Sequence, residues 1–255
     1  MNPRRSQRFW LHREHLASCV DIPNTQGLEI GAYDLPFVEP GEGSCEFADF
    51  RSVEELRELT RDLSGHSVEF TVPVKYDLRA GYDQIENRYD WIAAAHVIEH
   101  IPDLIDWLNA LASKLKENGI LFFVIPDKRY TYDFHRRNTN LSDLIEWNLH
   151  KLQRPSYGQV FDHHFYSMQP LDPGLIWTGV PIPPPNKNYM SASEAAKRAL
   201  QGFEDAHCSV FTPESFEELI KELTQASLIP LQLADVRPTQ QNQLDFSAVL
   251  CSTNL

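Results

Sequence analysis

Short apolar runs alternate with amphipathic stretches along the first half of the chain. QGLEIGA at 26–32 reads as a buried strand entering a turn at Gly31. Pro36, Pro40, Gly41 and Gly43 forbid a long helix directly after it. SCEFADF at 44–50 alternates as a second strand does. SVEELRELTRDL at 52–63 predicts a helix: Ser52 caps it, Glu55 completes a capping box, and Val53, Leu56, Leu59 and Leu63 share one face. VEFTVPVKYDL at 68–78 is rich in β-formers, and Pro73 puts it near an edge or a strand end. YDWIAAAHV at 89–97 is nearly continuous in apolar residues, the pattern of a central parallel strand. DLIDWLNALASKLKENG at 103–119 predicts a helix closed by Gly119, and ILFFVIP at 120–126 a strand stopped by Pro126. Residues 3–18, charged and mildly amphipathic, predict a surface helix.

The alternation then breaks. Residues 127–207 hold a basic and aromatic stretch, a predicted helix near 141–152, and the proline-rich piece PLDPGLIWTGVPIPPP at 170–185. It resumes with TPESFEELIKELTQA at 212–226, a helix capped by Thr212 with Pro213 at its first position. SLIPLQLADV at 227–236 and LDFSAVLCS at 244–252 are two closing strands, joined closely enough to be antiparallel. Repeated β/α alternation implies an α/β fold: a Rossmann-like, doubly wound, mostly parallel seven-stranded sheet. The chain reads as one domain, residues 1–255, with 127–207 inserted after strand five as a lid or substrate-binding flap. A homodimer contact through Trp177 and the proline run is the competing reading of that insertion.

Composition narrows the partners. With 255 residues and 42% hydrophobic content the chain can bury a core. A formal charge of −13 argues against nucleic acid, and Arg4, Arg5 and Arg8 make only a small basic cluster. Cys19, Cys45, Cys208 and Cys251 are scattered, so neither a zinc knuckle nor a disulfide framework is suggested, and reduced thiols fit a cytoplasmic protein. The first twenty residues lack the apolar core of a secretory signal, and no apolar run approaches the roughly 20 residues of a membrane span.

Ligands of open α/β sheets bind outside the carboxyl ends of the strands. Three such ends carry chemistry. Glu29-Ile30-Gly31-Ala32 places a glycine where backbone can approach a ligand, or simply where the chain turns tightly. Asp49 can accept hydrogen bonds from vicinal ribose hydroxyls, or lead into the helix after Ser52. Asp77 can accept from an adenine amino group.

In that order, and followed by YDWIAAAHVIEHIPDLIDWL, KENGILFFVIPDKRYTYD and FTPESFEELI, these pieces resemble class I S-adenosylmethionine (SAM) dependent methyltransferases. The similarity is to the methyltransferase type 11-like group, and within it to a bacterial subgroup with HVIEH and PDKRYTYD runs. It covers roughly 27–135 and 207–252. The resemblance implies SAM as cofactor, with Glu29, Gly31 and Ala32 along its methionine part and Asp49 and Phe50 at the ribose. It further implies Asp77 and Leu78 at the adenine, and Ala95 and His96 at the methionine end. The acidic-x-Gly-x-Gly-x-Gly loop of these enzymes is reduced here to Glu29-x-Gly31-x-Tyr33-x-Leu35. That reduction supports the rival reading of a catalytically silent SAM-fold binding module.

His96-Val97-Ile98-Glu99-His100 also matches HxxEH, the inverted zinc-peptidase pattern. That reading needs both histidines on one helical face and a distant third ligand, and the run instead follows an apolar strand. A divalent-metal border of the kind found in the related ubiquinone-pathway O-methyltransferases is a second reading, and turn packing by Glu99 and His100 a third. A fourth makes His100 the catalytic general base: an ordinary histidine pKa of ~6.5 suits removal of a proton from a hydroxyl or amine. The expectation is that no metal, zinc least of all, is required. Arg129 and Tyr130 in a basic run, His163 and His164, and His207 are candidate substrate-lining residues; ion pairs of that run with Asp127 and Asp133 are the alternative. The expected reaction is direct methyl transfer to an oxygen, or second a nitrogen, of a small-molecule or glycan-type substrate.

Overall fold

The apolar run before Gly31 forms β1 (Gln26–Ile30), with Leu28 and Ile30 fully buried. Gly27 is demanded by packing: a Cβ there would lie 1.9 Å from the Trp91 ring. β2 (Ser44–Asp49) and β4 (Tyr89–Ala95) flank β1 in parallel, and β3 (Val74–Asp77) extends the sheet beyond β2. The register sets Glu29 beside Phe47 and Ala93, and Asp49 beside Asp77. The computed structural model describes residues 7–39, 41–62 and 67–253. With β5 (Leu115–Pro126), β6 (Leu231–Arg237) and β7 (Asp245–Ser252), the seven strands run in the order β3-β2-β1-β4-β5-β7-β6. The sheet is mostly parallel with an antiparallel close, as the sequence led one to expect.

The chain divides into two compact units. One holds the residues up to Ala95 with Ala110–Phe123 and the stretch from Val249; the other holds His96–Asn109 and Val124–Ala248. In the first, α1 (Gln7–Cys19) is less superficial than predicted: Phe9, His15 and Leu16 are buried, with Phe9 stacked on Phe37 and His15 edge-on to Phe122. The predicted start of that helix, with Arg4 and Arg5, lies outside the described residues, as does the side chain of Arg8. α2 (Val53–Asp62) carries the predicted capping box, since Ser52 and Glu55 exchange backbone N–H bonds at 2.7 and 3.2 Å. Leu63 and Pro40 lie outside the described residues. The predicted strand 68–78 shortens to β3, because Val68–Phe70 forms a single 3-10 turn ahead of Pro73.

The helix predicted over 103–119 is the clearest correction. α3 (Leu104–Ala112) stops at Ala112, and β5 runs from Leu115 to Pro126. Lys114 offers its carbonyl to the Tyr89 N–H at 2.9 Å, and Lys116 pairs with Asp90 at 2.8 Å. Sheet pairing thus overrides helical propensity. Gly119 is no helix cap; a Cβ there would press to 2.9 Å from the Tyr89 carbonyl oxygen, while Asn118 takes the left-handed turn at φ 62°.

In the second unit the segment 127–207 is more regular than its composition suggested. It forms α4 (Leu141–Leu149), α5 (Tyr157–Tyr166), the short α6 (Pro173–Trp177) and α7 (Tyr189–Ala199). Asn140 with Asp143 and Ser156 with Gln159 form capping boxes at α4 and α5. α5 and α7 bury Val160, Ala195, Ala196, Ala199 and Ala206 between them. α8 (Pro213–Gln225) begins at Thr212 as predicted, followed by β6 (Leu231–Arg237) and β7 (Asp245–Ser252). No helix among the described residues is long and apolar enough to cross a membrane.

Candidate active site

The first unit holds the residues read as cofactor ligands, except His96. Gly31 sits at φ 70°, a conformation open to glycine, and donates its N–H to the Ala48 carbonyl at 3.0 Å. Tyr33 takes a second left-handed position at φ 58°. The loop has a buried anchor: both Glu29 oxygens accept from the Phe37 N–H, at 2.9 and 3.0 Å. Glu29 is therefore turned onto the loop's own backbone. Ala32 is buried against Phe47 and Val72.

Asp49 ends β2 almost fully buried, and accepts from the Arg51 N–H at 2.9 Å. Burial pushes its pKa up to about 6 against the pull of Arg51, with Asp77 adding to the rise. A carboxylate has about four acceptor positions, so the backbone bonds from Arg51 and Phe50 leave capacity for a ligand diol. Phe50 beside it is 41% exposed, available to cover a flat ligand, and Leu78 is buried. Asp77 is clasped by Arg79 through the backbone N–H at 3.0 Å and Nε at 2.9 Å, and Arg79 also reaches Glu55. Ala95 is half-buried at the end of β4.

The second unit opens with His96, held at φ 54°. Its Nε2 meets Asp245 at 2.9 Å and its Nδ1 lies 3.6 Å from Glu99. Burial would lower its pKa, but these two carboxylates raise it to about 9. The helix required by the zinc-peptidase reading is absent: Ile98–His100 is one 3-10 turn.

Glu99, His100 and His207 converge, with one ligand-type atom from each inside a 4.8 Å circle. His100 Nδ1 bonds Asp205 at 2.8 Å, and its Nε2 lies 3.9 Å from Glu99. Burial would lower the His100 pKa, but Asp205 and Glu99 raise it. His207 Nδ1 bonds Asp133 at 2.6 Å, and its Nε2 takes the Tyr132 hydroxyl at 2.6 Å. Burial tends to raise the Asp133 pKa; His207 and Arg136 overcome it and bring it to about 2. His163 accepts from the His207 N–H at 3.2 Å, and burial with the nearby Arg136 charge lowers its pKa to about 3, so it stays neutral.

The predicted substrate residues thus fall into two groups. His100, His163 and His207 come together, with His164 edge-on to His163. Arg129 and Tyr130 belong elsewhere: Arg129 grips Asp127 and reaches Glu214 at 3.5 Å, while Tyr130 stacks on Trp177 at 4.2 Å. Trp177 also donates to the Gln243 carbonyl, so the proposed dimer residue is engaged within its own chain. Sequence reading assigned no site role to Tyr132, Asp205 or Asp245, and suggested Asp133 only as an ion-pair partner of the basic run, which it is to Arg136. The signal was there for three of them, in YTYD and in Asp205-Ala206-His207.

Residues 15–223 match the methyltransferase-domain family. The chain belongs to that family. This methyltransferase uses SAM, and the left-handed Gly31 turn and the buried Asp49 carboxylate fit that cofactor. No curated protein matches its sequence. Among solved structures, one from Rhodobacter sphaeroides described as putative Zn-dependent alcohol dehydrogenases aligns with TM-score 0.53 and 14% identity, covering 98% of this chain and 91% of that one. At that identity the likeness is one of fold. A SAM-dependent methyltransferase from Clostridium acetobutylicum aligns with TM-score 0.47 and 12% identity over 97% and 92% of the two chains. The CcbJ methyltransferase from Streptomyces caelestis gives 0.45 and 14% over 94% and 89%.

Proposed function

We propose that this methyltransferase methylates an oxygen, or second a nitrogen, of a small-molecule or glycan-type acceptor. The observation that carries the reading is His100, one-third exposed, with Nδ1 fixed on Asp205 and Nε2 turned toward Glu99. An O–H or N–H acceptor must shed a proton as it is methylated, and a histidine oriented by a carboxylate suits that task. SAM, when bound, supplies an already activated methyl group on its sulfonium. Of this chain's own residues, Asp49 would hold the ribose, the Gly31–Ala32 backbone the methionine part, and Phe50 and Leu78 the base. His100 takes the acceptor's proton while Asp205 holds the ring. The segment 127–207 contributes His163 and His207 to acceptor binding.

Labelled SAM incubated with metabolite and glycan fractions tests the reading. The expected result is transfer to a hydroxyl- or amine-bearing compound, with kcat reduced about 10²–10⁴-fold in His100→Ala, the range for losing a general acid–base group. A protein that shows no thermal shift with SAM or S-adenosylhomocysteine would instead be the silent module. Labelling of a carbon or sulfur acceptor, insensitive to His100, would refute the proton-acceptor role.

A further inference from the structure

We propose that Glu99, His100 and His207 form a binding site for a first-row divalent transition-metal ion. It rests on the methyl-transfer reading only for what the ion does, not for whether it binds. Three observations on this cluster point the same way.

The first is the donor set. Two imidazoles and a carboxylate bring ligand-type atoms within 4.8 Å of one another. This nitrogen-rich combination suits zinc, manganese, iron, cobalt or nickel better than calcium or magnesium, which favour all-oxygen ligands.

The second is how the histidines are held. A carboxylate can only accept from an imidazole, so Asp205 fixes the proton of His100 on Nδ1 and Asp133 fixes that of His207 on Nδ1. The lone pair of each ring is therefore on Nε2. Histidine ligands are ordinarily oriented by such an outer carboxylate, which also raises their basicity. Here two rings from distant parts of the chain are oriented in the same way, with centroids 4.7 Å apart.

The third is Glu99. Its side chain is 3% exposed, and Oε2 is buried with no hydrogen-bond partner among the described residues. Among those residues no Lys or Arg forms an ion pair with it, and its contacts are His96 at 3.6 Å and His100 at 3.9 Å. A buried carboxylate oxygen with nothing to accept is costly, and a cation held by this carboxylate and the two imidazoles would satisfy it. The Tyr132 hydroxyl now occupies the His207 Nε2 lone pair and would be displaced on binding. Three protein ligands leave coordination positions for the acceptor's hydroxyl. A bound cation would lower the pKa of that hydroxyl, and its proton would pass to solvent; His100, with Nε2 on the ion, would then be a ligand and not the base.

The test uses the full chain, stripped with chelator and dialysed. Co²⁺ is titrated and followed by its d–d absorption, and Zn²⁺ by calorimetry, with SAM titrated separately into metal-free protein. The expected result is one ion per chain. Glu99→Gln and His207→Gln should each weaken it at least tenfold, and Asp205→Asn by 10–100-fold, with SAM affinity unchanged. Wild-type protein that binds no ion, or binding undiminished in Glu99→Gln, would overturn the site. Should His207→Gln fail to fold after losing its bond to Asp133, Glu99→Gln decides. Ion binding without SAM binding would keep the site and sink the methyl-transfer reading; SAM binding without the ion would do the reverse.

Discussion

Asp49→Asn should make the protein more stable and a worse SAM binder at once. In the fold the Asp49 carboxyl titrates at about 6, against 3.8 for the free side chain, chiefly because it is buried. A folded-state pKa above the unfolded one means that the native state holds the proton more tightly. The resulting stabilisation is complete below pH ~4 and lost as pH rises through 6. At pH 7.5 the ionised carboxylate therefore costs the fold up to about 3 kcal/mol, two units at 1.36 kcal/mol each. Asparagine removes the charge and keeps an oxygen for the Arg51 N–H. The variant should gain roughly 1–3 kcal/mol at pH 7.5 and nothing at pH 4, read from urea melts at both values with unchanged slopes. Asparagine also presents one acceptor oxygen where the ribose diol meets two, so SAM affinity by calorimetry should fall by roughly 1–3 kcal/mol. A variant no more stable than wild type at pH 7.5 would refute the burial argument, and one with intact SAM affinity would remove Asp49 from the cofactor site.

Two further perturbations test the scaffold. Burial favours protonation of Glu46, but bonds from Lys75, Tyr89, Asn87 and Tyr76 prevail and lower its pKa to about 2. Glu46→Gln should thus cost about 2–3 kcal/mol at pH 7, and the deficit should fade as pH falls from 4.5 toward 2 in chemical melts. Gly27→Ala should cost at least about 1–3 kcal/mol by overpacking against Trp91; a thermal midpoint within a degree of wild type would contradict that closeness.

The parts of the fold legible in the sequence were those whose signals are local. Strand β1 ended at a glycine, α2 announced its capping box, and α8 carried Thr212 and Pro213 at its start. The error at 113–119 arose because Ser113-Lys114-Leu115-Lys116 reads as helix by propensity, whereas Ser113 and Lys114 turn and β5 starts at Leu115, with the Lys114 carbonyl bonded to Tyr89, 25 positions earlier. The helices α5 and α7 went unread because an interface of alanines against Val160 gives a weak periodic signal. At the site, Gly31 and Asp49 were visible as strand ends. The partners of the histidines were not, since Asp133 and His207 lie 74 positions apart and nothing in spacing joins them.

The two ends of the 127–207 segment are fastened to each other independently of the helices between them. The Lys128 N–H donates to the Phe211 carbonyl, and Thr139 and Val210 exchange two bonds, while the Glu99 carbonyl, from before the segment, accepts from the N–H groups of Cys208 and Ser209. Tyr132 and Asp133 sit on the outgoing end, His207 on the returning one. Chemistry and shape are thereby assigned to different stretches of one chain. On the proposed function, helices α4 to α7 form a cassette that could change in length or lining while the stem keeps its histidine and carboxylate in place, so that acceptor preference could drift without the reaction being rebuilt.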